Sequence, residues 1–110
     1  VSPTRNARNG GALKRFGDDG ERLGNFRINL RNERFARDDR PIDSDCDCHT
    51  CRNYSRGYLR HLLKAGEQTG QQLTTIHNLR FMARLMDDIR EALLAGTFEE
   101  LMRETLGQQA

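Results

Sequence analysis

Asp45-Cys46-Asp47-Cys48-His49-Thr50-Cys51, followed after 25 further residues by His77, is the stretch that decides how this chain is read. The cysteines stand as Cys-x-Cys-x2-Cys. Cys46 and Cys48 are too close for an easy disulfide, and three cysteines cannot all pair within one chain. Three thiolates and one imidazole, by contrast, fill a tetrahedral zinc shell and leave no open position for water. The pattern therefore predicts a structural zinc clamp, not a catalytic metal. Reduced core cysteines behave as small hydrophobes among apolar neighbours. These three fall within six residues of the polar loop Asp43 to Cys51.

Spacing alone leaves the fourth ligand open. His49 lies inside the cysteine run, and bending back to the same ion would strain a two-residue loop. His61 stands ten residues beyond Cys51, in what reads as the first helix. His77, flanked by Leu73, Ile76 and Leu79, enters a long amphipathic segment and would tie the loop to a second helix. The residues favour His77 over His61 without excluding the latter.

The bulk composition agrees with a metal-dependent fold. A chain of 110 residues is one small domain or part of one. Only 35% of it is hydrophobic and Trp is absent, so the core is thin and needs a metal or a partner surface. No apolar run reaches the roughly 18 residues of a membrane span. No signal peptide is visible, and the chain opens Val1-Ser2-Pro3 without Met, as expected of a piece processed or cut from something longer. Thiols kept for a metal suit a reducing compartment, the cytoplasm by default.

Net charge is +2 but uneven. Residues 1–40 carry ten basic side chains against six acidic ones, and residues 41–110 carry eight against ten. Sixteen of the eighteen basic residues are Arg, whose planar fork suits phosphate and base edges. A solvated Arg-rich surface accounts for the composition equally well.

Along the chain, residues 1–10 lack a hydrophobic period and read as a polar, Arg-bearing loop. Ala12 to Phe16 reads as a short strand, Asp18-Asp19-Gly20 as a turn, and Phe26, Ile28 and Leu30 alternate with polar residues as a half-buried strand. A β-hairpin over about 12–31 follows. Asp38 to Asp47 is a charged linker. A first helix is expected from about Asn53 to Gly66, with Tyr54, Tyr58 and His61 on one face. A second runs from about Gln71 to Ala95, with Ile76, Leu79, Met82, Met86, Ile89 and Leu93 as its apolar face. Thr97-Phe98-Glu99-Glu100 opens a short third helix, and Gly107 to Ala110 should fray. No catalytic constellation stands out. Asp18/Asp19, Asp38/Asp39 and Asp87/Asp88 read as turn, linker and exposed helix charges.

Several stretches together carry a family resemblance. They are Val1-Ser2-Pro3-Thr4-Arg5-Asn6-Ala7-Arg8-Asn9-Gly10, Asn29-Leu30-Arg31-Asn32, Asp45 to Cys51, Tyr54-Ser55-Arg56-Gly57-Tyr58, and His77-Asn78-Leu79. The chain resembles the C-terminal third of bacterial tRNA-guanine transglycosylase, and the resemblance covers essentially its whole length. It implies an α/β fold: the end of a (β/α)8 TIM barrel with a zinc-binding subdomain, seen here as a β-hairpin followed by about three helices. Residues 1–40 would be the basic loop and hairpin from the end of the barrel. Residues 41–110 would be the zinc-binding helical subdomain and C-terminal barrel helices.

The resemblance also assigns residues. It settles the zinc ligands as Cys46, Cys48, Cys51 and His77. It implies exchange of guanine at the tRNA wobble position for a 7-deazaguanine, through a covalent link between an aspartate and the ribose. That aspartate would lie two residues before Val1, so the chain holds no catalytic residue of its own. Arg5 and Arg8 would contact the tRNA anticodon loop. Tyr54, Tyr58 and His61 would form the surface of a homodimer, and no membrane contact is implied. The segment Asp18 to Phe26 departs from the family by its extra length. The competing reading is a stand-alone zinc-stapled module that binds RNA or scaffolds a partner without catalysis.

Overall fold

A computed structural model describes residues 2–21, 23 and 26–106. The expected fraying of Gly107–Ala110 and the position of Val1 fall outside the described residues.

The chain does not begin as a loop. Pro3–Arg8 is a short helix, α1. Its start is coded by Ser2, whose hydroxyl accepts the Arg5 N–H at 3.2 Å, and by Pro3 in the first turn, where a missing N–H costs nothing. Ala7 is its buried contact. Two short strands follow, β1 (Gly11–Leu13) and β2 (Arg27–Asn29), antiparallel with Ala12 opposite Ile28. The hairpin is as expected, but each strand has only three residues. A 3-10 turn at Glu33–Phe35 leads into the linker.

The expected first helix starts a few residues late, and a short helix that was not expected precedes it. α2 (His49–Asn53) stops at Tyr54, and α3 (Arg56–Lys64) starts afresh at Ser55, whose Oγ accepts the Tyr58 N–H at 3.1 Å. Ser55 is an N-cap signal inside what the apolar period alone reads as continuous helix. The long helix α4 (Gln68–Ala95) ends at Gly96, which takes a left-handed φ of 74°. The last helix, α5, spans Phe98–Leu106.

The face that α4 buries differs from the expected one. Gly70, Leu73, Thr74, His77 and Asn78 point inward. Ile76, Leu79, Met86 and Leu93 are exposed, Leu79 by 55% and Leu93 by 60%. Met82 and Ile89 of the expected face are half-buried, lining an apolar groove with Leu13 and Leu101. Over the first half of α4, counting apolar residues picks the wrong stripe because the inward one is largely polar and satisfied by hydrogen bonds. Gly70 lets α4 approach α3 closely: a Cβ there would lie 2.9 Å from that of Leu62.

The core is one cluster: Ala12, Ile28, Leu30, Phe35 and Ile42 from the first part, with the cysteines, Leu59, Leu62, Leu63 and Leu73 from the second. Beneath it sits Arg56, only 2% exposed. Its Nε donates to the Pro41 carbonyl at 2.8 Å and its Nη2 to that of Ile42 at 2.9 Å. Its guanidinium also grips Asp18 at 2.6 and 2.8 Å and Asp38 at 3.2 Å. Asp18 and Asp38 are thus partners of a buried cation, not just turn and linker charges.

Among the described residues the sheet is open and two-stranded, so this chain does not by itself close a barrel. No described helix is long and apolar enough to cross a membrane.

Candidate metal centre

The Cys46, Cys48 and Cys51 thiols and the His77 imidazole converge, with one ligating atom from each lying within 4.8 Å of the others. All four residues are buried; His77 is 1% exposed. The local sequence builds the loop. Cys48 is the N-cap of α2, and its Sγ accepts the Cys51 N–H at 3.3 Å, so the helix start itself folds two sulfurs together. The Thr50 hydroxyl then donates to the Leu73 carbonyl, pinning α2 to the turn of α4 that carries His77. From outside, Arg80 on α4 pairs with Asp47 at 2.8 Å, and Arg84 donates to the Asp45 carbonyl at 2.9 Å.

His77 presents Nδ1 to the sulfurs, 3.3 Å from Cys51 and 3.6 Å from Cys48. A tetrahedral zinc with Zn–S bonds of about 2.3 Å and Zn–N of about 2.0 Å would hold N and S roughly 3.5 Å apart. The shell therefore fits zinc in donor type, number and span. Cys46, Cys48, Cys51 and His77 would hold the ion, and four protein donors leave it a cross-link between α2 and α4. The groups are also electrostatically coupled. Hydrogen bonding from Cys51 and His77 holds the Cys48 thiol far below its usual range, and the Cys48 sulfur pushes Cys51 up. Burial pushes His77 down, but the sulfurs of Cys46 and Cys48 outweigh it and hold the imidazole at about 9. His49 and His61, the other candidates for fourth ligand, are both exposed and stand outside the cluster.

The second nitrogen of His77 reaches the first part of the chain. Nε2 lies 2.7 Å from the Leu13 carbonyl, a bond that fixes the tautomer with Nδ1 free for a metal. The next residue, Asn78, is fully buried. Its Oδ1 accepts the Leu13 N–H at 2.8 Å, and its Nδ2 donates to the Pro3 and Gly11 carbonyls, each at 3.0 Å. His77 and Asn78 together thus hold β1 and the start of α1. Sequence reasoning missed Asn78; its only signal was a polar residue beside a ligand. Asn78→Ala would leave the Leu13 N–H and the Gly11 carbonyl without this partner, at about 1–3 kcal/mol each before relaxation, and remove the bond to the Pro3 carbonyl. We expect a loss of about 2–4 kcal/mol in denaturant unfolding with one zinc still bound per chain. A loss below about 0.5 kcal/mol would mean that the bonds are replaced.

The remaining site residues are dispersed. Arg5 and Arg8 lie on α1 and are exposed. Tyr54 does not share a helix with Tyr58 and His61, because it caps the end of α2. Its ring nevertheless stacks on Tyr58 at 5.6 Å and meets His49 edge-on at 5.9 Å. Tyr54 is half-buried against the core, whereas Tyr58 is 47% exposed and His61 is exposed.

A short hairpin, a helical lobe closed by a Cys3His cluster, and an exposed arginine pair on the first helix make up a zinc-stapled module. Comparison with known proteins specifies its class. The family model described as queuine tRNA-ribosyltransferase matches residues 1–110. The queuine tRNA-ribosyltransferase of Moorella thermoacetica is 50% identical over 101 residues, covering 92% of this chain and 25% of that protein. Its counterpart from Symbiobacterium thermophilum is 52% identical over 106 residues, 96% of this chain and 24% of that protein. That from Polaromonas naphthalenivorans is 46% identical over 104 residues. The chain belongs to the queuine tRNA-ribosyltransferase family and spans about a quarter of the length of these relatives.

Proposed function

We propose that the chain is the C-terminal portion of a tRNA-guanine transglycosylase, a cytoplasmic enzyme exchanging wobble guanine for a 7-deazaguanine through an aspartate–ribose intermediate. The nucleophile and base pocket belong to polypeptide preceding Val1. In the complete enzyme, residues 1–40 end a (β/α)8 barrel, and residues 41–110 form the zinc subdomain and last barrel helices. This portion supplies the structural zinc, contacts to the tRNA anticodon loop and a dimer surface. The observation that carries the reading is the match to the family over the whole chain, together with the Cys3His cluster.

Arg5 and Arg8 are the proposed anticodon-loop contacts. They are exposed on a helix whose first residue, Pro3, and the strand that follows it are both bonded to Asn78, so their guanidinium groups start from a fixed base. In the full-length protein, Arg5→Ala with Arg8→Ala should weaken tRNA binding and lower the slope of log affinity against log salt by about 2. Unchanged affinity and slope would end this assignment.

Tyr54, Tyr58 and His61 are the proposed dimer surface. Stacked, partly exposed aromatic rings are frequent interface anchors, and a two-fold dimer buries the same patch on both partners. Tyr54→Ala with Tyr58→Ala should raise the monomer fraction in native mass spectrometry while zinc stays bound. A double variant still dimeric at low micromolar concentration would place the interface elsewhere.

A further inference from the structure

We infer that the RNA surface extends beyond α1 across the hairpin, with Arg27 and Arg31 as further contacts to the phosphodiester backbone. This rests on the functional reading above. It starts from how the arginines are paired. Arg15, Arg40, Arg56, Arg80 and Arg90 each hold a carboxylate. Arg5, Arg8, Arg27, Arg31, Arg34 and Arg37 are all exposed, and none forms an ion pair among the described residues. From Arg27 to Arg37 the only acid is Glu33, against four arginines.

Two of these side chains are built against α1. The Arg27 Nη1 donates to the Asn6 Oδ1 at 2.8 Å, from the helix position between Arg5 and Arg8. That bond uses one N–H of the fork and leaves the others for an anion. The Arg31 stem crosses Gly10, directly beyond the end of α1. A Cβ on Gly10 would come within 2.9 Å of the Arg31 Cγ, and the φ of 84° there already favours glycine. The Leu30 N–H donates to the Gly10 carbonyl at 2.7 Å, fixing that junction. Arg27 and Arg31 therefore flank the arginine helix at fixed positions. Further along, Arg34 is held over the Phe35 ring at 4.6 Å. A solvated arginine needs none of these supports. A surface that follows a polyanion needs several unpaired guanidinium groups on one rigid base.

The test uses the full-length protein and an unmodified tRNA bearing guanine at the wobble position, with binding read by fluorescence anisotropy from low to high salt. Arg27→Gln with Arg31→Gln should lower the log–log salt slope by about 2, with zinc content and melting temperature unchanged. Arg27→Lys with Arg31→Lys should keep most of the slope, since Lys also neutralises a phosphate. If the Gln pair leaves the slope unchanged while Arg5→Ala with Arg8→Ala lowers it, the extension is wrong and the functional reading stands. If wild type shows no salt-dependent tRNA binding, both fall.

Discussion

Cys48→Ser should abolish zinc binding and unfold residues 43–80, not merely slow a reaction. Cys48 acts twice, as a ligand and as the cap of α2 through its 3.3 Å bond from the Cys51 N–H. The three cysteines are themselves part of the buried cluster, packed with Leu59, Leu62 and Leu73. Structural zinc in finger-like sites contributes roughly 10–16 kcal/mol of apparent binding free energy, comparable to the whole stability of a small domain at about 5–15 kcal/mol. A chain only 35% hydrophobic has little margin to replace it. Elemental analysis should fall from one zinc per chain to none, and amides in 43–80 should lose hydrogen-exchange protection. A zinc-free variant that keeps native protection would refute the clamp.

Arg56→Ala is expected to cost about 3–5 kcal/mol, the range for breaking a buried ion pair from one side. It removes donors from the Pro41 and Ile42 carbonyls and leaves Asp18 and Asp38 without their buried partner. The same cluster sets an acid limit. Hydrogen bonds from Arg40, with the Arg56 charge behind them, hold Asp38 at about 2 against an ordinary value of 3.8. Hydrogen bonding from Arg56 likewise holds Asp18 below the usual carboxylate range. Both carboxyl groups are depressed in the fold, so their stabilisation is complete above about pH 4. For Asp38 it is lost as pH falls through about 2. Denaturant midpoints measured from pH 5 to pH 2 should fall more steeply for wild type than for Asp38→Asn. Parallel curves would mean that Asp38 is not ionised in the cluster.

What could be read from the sequence divides by the range of the signal. The metal loop was legible because Cys46, Cys48 and Cys51 sit together and their chemistry needs no long-range information. The last ligand was less so: by spacing His77 and His61 both suit zinc, and it took the family resemblance, and then the place of His77 in the cluster, to separate them. The Gly96 helix stop was readable, since a left-handed residue there is a local requirement. The helix at Pro3–Arg8 was missed although Ser2-Pro3 spells its start, because six residues give too short a period to see. The break at Tyr54 was hidden in the same way behind a continuous apolar stripe. The inward face of α4 was misread for a different reason. Its central residues, Thr74, His77 and Asn78, are polar and buried; Thr74 donates to the Gly70 carbonyl within α4, and the partners of His77 and Asn78 lie far away in the chain.

The bonds from His77 and Asn78 back to Leu13 also set an order of assembly. The metal joins Cys51 to a residue 26 positions away, whereas the bonds to Leu13 span 64 and 65 positions. Closing the longer loop costs about 0.8 kcal/mol more in chain entropy, and the reward is a few hydrogen bonds and the packing of Ala12 into the shared core rather than a coordination shell. The α3–α4 hairpin with its metal loop can form and persist before α1 and β1 arrive. The arginine-bearing end is then expected to be the last part captured on folding and the first released when the molecule opens, so its amides should exchange before those of α3 and the metal loop.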